Sequence, residues 1–336
     1  GGPFLTLTSR FGWLSCECQI RSTSLAKLDK IAGLIGEYGS VPVSSIKNIL
    51  AVVGDATNGR ASLEAALRIG RHLDCHVEVL HVRSDPTAAL PLVGEAMSGA
   101  MVDEMMGVAE KESGQRAAKS RGVYEALLAR EHLTDSQAAP GRHVGFATTW
   151  LETSGIEEQV VALRGCRADL SIVARPTGDG ETASLMTLNA ALMQSGRPVI
   201  AAPPLLTDGA PRTGAFKKIA VFWNGSTEAT RAVAAALPFL IKAEEVTVLR
   251  VEEEEWYAET NDLEAHLAHH GVHAVVSKVL PREGRTGRSL LFAAGDVGAD
   301  IMVMGAYTRS KLRQLILGSV TGYVMQHAIL PVLLSH

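Results

Sequence analysis

The sequence predicts an α/β protein made of two tandem doubly wound parallel-sheet domains, with an extra helical stretch in the first. Three observations carry this. The chain has 336 residues, and at roughly 100 to 200 residues per domain that length suits two domains, each long enough to bury a core. Apolar residues make up 46% and charged residues 20%, an ordinary globular composition that excludes a disordered or collagenous chain. An internal repeat then divides the chain, and each half alternates strand and helix patterns.

The repeat opens with two basic-flanked apolar runs, IKNILAVV at 46–53 and FKKIAVFW at 216–223. Both have strand composition and both meet a turn, Gly54-Asp55 in one case and Asn224-Gly225 in the other. A helical pattern follows each turn, with Ala65-Ala66-Leu67 matching Ala235-Ala236-Leu237. Next come VEVLHV at 77–82 and VTVLRV at 246–251, which read as buried strands. After a variable middle the correspondence resumes: Ala168-Asp169-Leu170 matches Ala299-Asp300-Ile301, and Arg197-Pro198-Val199-Ile200 matches Leu330-Pro331-Val332-Leu333. Each half is thus β-α-β, a variable middle, then β-α-β. The first half is longer because residues 98–130 read as one long helix. The predicted organisation is an N-terminal extension at 1–45, a first domain at 46–202, a linker rich in Pro and Gly at 203–215, and a second domain at 216–336.

Composition also limits the partners. Lys plus Arg is 32 against Asp plus Glu at 36, a formal net charge of -4. No global basic field exists to follow a phosphate backbone, so no nucleic-acid partner is expected. The longest apolar run, at 234–241, contains a proline and falls far short of a bilayer span of roughly 20 residues, so no membrane role is expected. The chain begins with Gly and shows no basic n-region followed by an apolar h-region, so no secretory signal is expected. Four cysteines (Cys16, Cys18, Cys75, Cys166) fit neither a zinc ribbon nor a disulfide framework, which favours a reducing cytoplasm.

In an open parallel sheet, ligands bind beyond the carboxyl ends of the strands, where strand order reverses. The richest loop there follows IMVM: Gly305, Ala306, Tyr307, Thr308, Arg309 and Ser310, then KLRQLIL, then Gly318, Ser319 and Val320. A glycine directly after a buried strand lets backbone approach a ligand, and a Gly-Ser pair opening a helix offers free amides and a hydroxyl to an anion. The pattern outlines a phosphate cradle.

The stretch ADIMVMGAYTRSKLRQLILGSVTGYVMQHAILPVLL resembles the C-terminal signature of universal stress proteins. Their nucleotide-binding version reads G-x-x-G, nine residues, then G-S or G-T. Gly305, Gly318 and Ser319 match, whereas Thr308 stands where the signature has Gly. FKKIAVFWNGSTEA is similar to the family's first strand and turn, with Asn224 where nucleotide-binding members usually carry an Asp near the adenosine. Val251 matches the second-strand valine that lines the adenine pocket. The resemblance covers 46–336 as two copies.

The resemblance implies five strands per copy in the order 3-2-1-4-5, the copies packing through their last strands as an intramolecular pseudo-dimer, with a homodimer as a further level of assembly. It also implies ATP or another adenine nucleotide in the second domain only, accompanied by Mg²⁺ when ATP is bound. The implied site comprises Asn224, Val251, Met304, Gly305, Thr308, Arg309, Gly318, Ser319 and Val320. In the first copy the corresponding loop is Ala174, Arg175, Pro176, Thr177, Gly178, Asp179 and Gly180; no Gly-Ser pair opens the next helix, and Gly54 replaces the Asp. Three functions remain open. One is a cytoplasmic stress-response or signalling module with a nucleotide in its second half, and another is an interaction protein in which both sites have decayed. A third is an ATP-using enzyme of the wider α/β group. No hydrolase motif accompanies it, so no dedicated catalysis is expected. Slow ATP hydrolysis or self-phosphorylation at Ser310 or Ser319 stays open.

Other motifs have structural readings. Residues 54–61 nearly spell a P-loop, but Arg60 replaces the Lys and Ala61 removes the Mg²⁺-binding hydroxyl, so a strand-to-helix turn is expected. Residues 282–289 read as a connection with a Thr or Ser helix cap. His266, His269, His270 and His273 include i, i+4 spacings, but Gly271 is expected to end that helix and throw His273 onto the next strand. Glu252 to Glu255 reads as a solvated acidic loop.

Overall fold

A computed structural model describes residues 46–54, 58–85, 98–136, 145–175, 182–204, 216–251, 262–281, 285–306 and 319–336; at 58, 182, 183 and 319 only the backbone is described. The strands are β1 (Asn48–Val52), β2 (His76–Ser84), β3 (Ala147–Gly155), β4 (Leu170–Ala174), β5 (Val199–Ala202), β6 (Lys218–Trp223), β7 (Glu245–Val251), β8 (Ala274–Val279), β9 (Ile301–Gly305) and β10 (Val332–Ser335). The helices are α1 (Asn58–Leu73), α2 (Gly99–Arg130), α3 (Glu157–Gly165), α4 (Thr182–Gln194), α5 (Thr227–Leu240), α6 (Leu263–His269), α7 (Thr286–Asp296) and α8 (Ser319–His327).

All ten strands form one sheet in the order β3-β2-β1-β4-β5-β10-β9-β6-β7-β8. Each five-strand half therefore has the order 3-2-1-4-5. Among the described strands only β5 and β10 run antiparallel; the other eight neighbouring pairs are parallel. Ile200 pairs with Leu333, Ala201 with Val332, and Val199 with Leu334. Ile200 thus faces its own repeat equivalent, as a local two-fold axis through the ladder requires.

Alternation along the strands separates two cores. Ile49, Ala51, Ile219, Val221 and Trp223 pack with α1, the end of α2, α5 and α6 on one face. Leu50, Val52, Ala220, Phe222, Met302 and Met304 pack with α3, α4, α7 and α8 on the other. Strands buried on both faces need apolar side chains in both directions, which is why they read as continuous apolar runs. Helix α2 has its buried residues at Ser113, Ala117, Ser120, Tyr124, Leu127 and Leu128, one stripe at three- and four-residue spacing that docks its carboxyl-terminal half.

The repeated Ala-Asp motif has a specific task. Asp169 Oδ2 accepts from the amides of Lys47 and Asn48 at 2.8 and 3.0 Å, and its own amide donates to Asn48 O. Asp300 does the same with Lys217 and Lys218, each at 3.1 Å. In both halves this clamps the start of the fourth strand to the start of the first. One expectation fails: the N-cap of α7 is Arg285, without a side-chain cap bond, and Thr286 is already helical. Gly271 follows the end of α6 at φ 75°, and His273 lies just before β8 rather than on it.

Candidate functional site at the strand-order reversal

In the second half, strand order reverses between β6 and β9. Phe222 is level with Met304, and Trp223 with Arg250, so β7, β6 and β9 end together at Val251, Trp223 and Gly305. Beyond β6 the chain turns through Asn224, Gly225 (φ 70°) and Ser226. Asn224 Oδ1 accepts from the Ser226 amide at 3.1 Å, and Ser226 Oγ caps α5 by accepting from the Ala229 amide at 3.1 Å. The amino end of α5, favourable to negative charge, therefore opens beside the ends of the strands.

Gly305 is required by close packing. A Cβ there would lie 2.5 Å from Ala229 N and 2.7 Å from the Glu228 carbonyl carbon. The backbone approach expected toward a ligand is thus, in this structure, an approach to the first turn of α5. Val251 and Val320 pack at the edge of the second core and Met304 lies within it, so these three share one face of the sheet. Asn224 is exposed at the turn. Helix α8 opens at Ser319. Thr308, Arg309 and Gly318, with Ser310, lie outside the described residues. Sequence reading did not single out Trp223 or Glu228. The Trp223 indole Nε1 is buried at the end of β6 without a hydrogen-bond partner, and the buried Glu228 sits in the first turn of α5.

Residues 215–336 match the sequence model of the universal stress protein family. Over these residues the chain is similar to that family. The whole fold agrees. A universal stress protein from Archaeoglobus fulgidus superposes with a TM-score of 0.57 at 15% identity, covering 87% of this chain and 99% of the other. A functionally unknown protein from Pseudomonas aeruginosa superposes at 0.50 and 16% identity, covering 87% of this chain and 92% of the other. At such identities the likeness is one of fold. No curated protein matches the sequence.

Beside this domain, the first half has a differently filled crevice. The Glu157 carboxylate lies 3.5 Å from where a Cβ on Gly54 would be, and its Oε1 accepts from Thr187 Oγ1 at 2.7 Å. A carboxylate there opposes a phosphate by like charge. Arg175, the first residue after β4, turns away and donates to the Ala328 carbonyl in the second half. Residues 176–181 lie outside the description. Of the P-loop lookalike, residues 55–57 lie outside the described residues; Gly59, in the first turn of α1, packs so closely that an added Cβ would lie 2.5 Å from Val53 Cγ1.

The remaining candidates stay small. The His266 and His270 rings lie 5.0 Å apart, but among the described residues no group of three or more His, Cys, Asp or Glu is placed to hold a metal. Burial pushes the Cys75 thiol up to about 12, which makes it a packed rather than a reactive thiol. Cys16, Cys18 and residues 252–261 are outside the described residues. Among those described, no helix is long and apolar enough to cross a membrane.

Proposed function

We propose that the protein is a cytoplasmic stress-response or signalling module that binds an adenine nucleotide, ATP with Mg²⁺, in its second half only. The supporting observation is the common ending of β7, β6 and β9 at Val251, Trp223 and Gly305, beside the capped start of α5, within the residues that match the family. Asn224 and Val251 would receive the adenosine, while Met304 and Gly305 lead into the phosphate loop of Thr308 and Arg309. The amides at Gly318, Ser319 and Val320 would hold the phosphates, because the start of a helix carries unpaired donors. The opening of α8 at Ser319 fits such an occupant. The Glu157 carboxylate argues against a second site.

Mass spectrometry of ligand released from freshly purified, denatured protein, with calorimetric titration by ATP and Mg²⁺, tests this reading. The expected result is one site per chain. Two equal sites, or none, would refute it. Thr308→Gly should tighten binding by about ten-fold by removing a β-branched side chain beside the phosphates. Gly318→Val should abolish it.

A second reading, an interaction protein with both sites decayed, is favoured by the use of Gly305 in packing against α5 and by Met101, Met105 and Val108 exposed at helical spacing on α2. It predicts no nucleotide in either experiment and capture of protein partners through α2.

A further inference from the structure

Helix α2 runs for 32 residues, and the residues it buries all lie in its carboxyl-terminal half. Away from that docked stripe, positions 101, 105, 108, 112, 115, 119, 122 and 126 are all exposed. Their spacing alternates four and three, the 3.5-residue repeat of a coiled-coil seam, sustained over about four heptads. The seam is graded along its length. Met101, Met105 and Val108 make a large apolar end, 53%, 50% and 54% exposed. Glu112, Gln115 and Lys119 make a polar middle, and Gly122 and Ala126 a small end. No described residue requires Gly122: it is helical, and a Cβ there would meet nothing within 4 Å. A glycine inside a helix weakens it, so its place on this seam suits a close approach from outside the chain.

Charge is graded in the same direction. The amino-terminal half of α2 carries Asp103, Glu104, Glu110 and Glu112 against Lys111 alone. The carboxyl-terminal half carries Arg116, Lys119, Arg121 and Arg130 against Glu125 alone. Arg121 is held by Glu125 and Asp135, and Arg130 by Glu64 and Glu131. That leaves Arg116 and Lys119 as the available cations of this half, and neither they nor the four acids form an ion pair among the described residues.

We propose that α2 is the contact for a second copy of this chain, the two helices pairing antiparallel about a two-fold axis that passes between Glu112 and Gln115. This alignment sets Met101 against Ala126 of the second copy, Met105 against Gly122, Val108 against the aliphatic stem of Lys119, and Glu112 against Gln115. Each large side chain meets a small or slender one, as knobs-into-holes packing needs. Glu112 also comes within a turn of Lys119 of the second copy, and the symmetry makes that pair twice. A parallel pair would set Met105 against Met105, Gly122 against Gly122 and Glu112 against Glu112, so size and charge both select the antiparallel one. The inference is independent of the nucleotide reading, since no residue of α2 lies at the strand-order reversal. It parts from the interaction-protein reading by naming a second copy as the occupant.

Sedimentation velocity of the full chain over about 1–100 µM tests it, and a reversible monomer–dimer equilibrium is expected. Met105→Glu, at an exposed position, should weaken the dimer at least about ten-fold. Gly122→Gln should weaken it by a similar factor without lowering the urea midpoint of the monomer, because a side chain there meets nothing in its own chain. Glu112→Lys and Lys119→Glu should each weaken the dimer, and the double variant should restore it. The two residues lie seven apart, about 10 Å along one helix, so they rescue each other only between antiparallel copies. A chain that stays monomeric to about 100 µM would overturn the proposal. A dimer left intact by Met105→Glu and Gly122→Gln would overturn it too, by placing the contact on another surface, and a double variant that stays monomeric would overturn the antiparallel pairing.

Discussion

At the scale of single residues, the same amino acid type serves different demands, and Gly305 is the clearest case. Its place after a buried strand was legible, but the partner it approaches was not, because contact with Ala229 depends on how α5 leaves the turn at 224–226. Gly305→Ala should cost about 1–3 kcal/mol, since the backbone of α5 must shift to admit a Cβ. A change in the urea midpoint at constant slope would measure it. His72 makes a second residue-level prediction. Burial against Phe216 and Phe239 lowers its pKa, Lys242 lowers it further, and Asp300 opposes them. The folded state therefore takes up the proton less readily than the unfolded chain, whose His titrates near 6.5. Below that value the unfolded state binds more protons, so this contribution to stability is intact above about pH 7 and declines as the pH falls through 6.5. His72→Leu should flatten that part of the stability profile. A variant with an unchanged profile would show that other groups govern it.

At the scale of elements, the repeat made most strands and helices legible, because strands buried on both faces and helices with one apolar stripe must carry those patterns. The 98–130 helix was visible for the same reason. Caps were less so: the Thr-Ser pattern near α7 promised a hydroxyl cap, yet Arg285 takes the position and Thr286 enters the helix. The repeated Ala-Asp pair stood out as a pattern, but its purpose required the partner strand. Asp169 and Asp300 each hold two amides at the start of another strand. Asp169→Ala and Asp300→Ala should each lower stability by about 1–3 kcal/mol, the cost of stranding donors that a charged acceptor satisfied. Being in different halves without shared partners, they should add. A double variant no less stable than either single one would show that the clamps do not act independently.

At the scale of the whole molecule, the two halves are joined by more than one kind of contact. The β5–β10 ladder makes one sheet of ten strands. Lys242 Nζ donates to the His72 carbonyl at the end of α1 at 2.7 Å, where a cation suits the helix terminus, and Arg175 reaches Ala328 from the first half. Sequence could point to the last strands as apolar edges needing cover, but not to Arg175, whose partner is 153 residues away. Each of the two cores also draws side chains from both halves. The halves should therefore unfold as one cooperative unit. The sharpest probe is Ile200→Lys, at the centre of the ladder and fully buried, where an unpaired charge costs several kcal/mol. The substitution lies in the first half, yet hydrogen-exchange protection should fall in β6, β7 and β9 as well as in β1 and β4. Val332→Lys is less selective, since Val332 pairs with both Ala201 and Met302 and its loss would damage the second half directly. If Ile200→Lys strips protection from the first half alone and leaves β6 and β9 as slow to exchange as before, the halves are separately stable domains that merely share an edge.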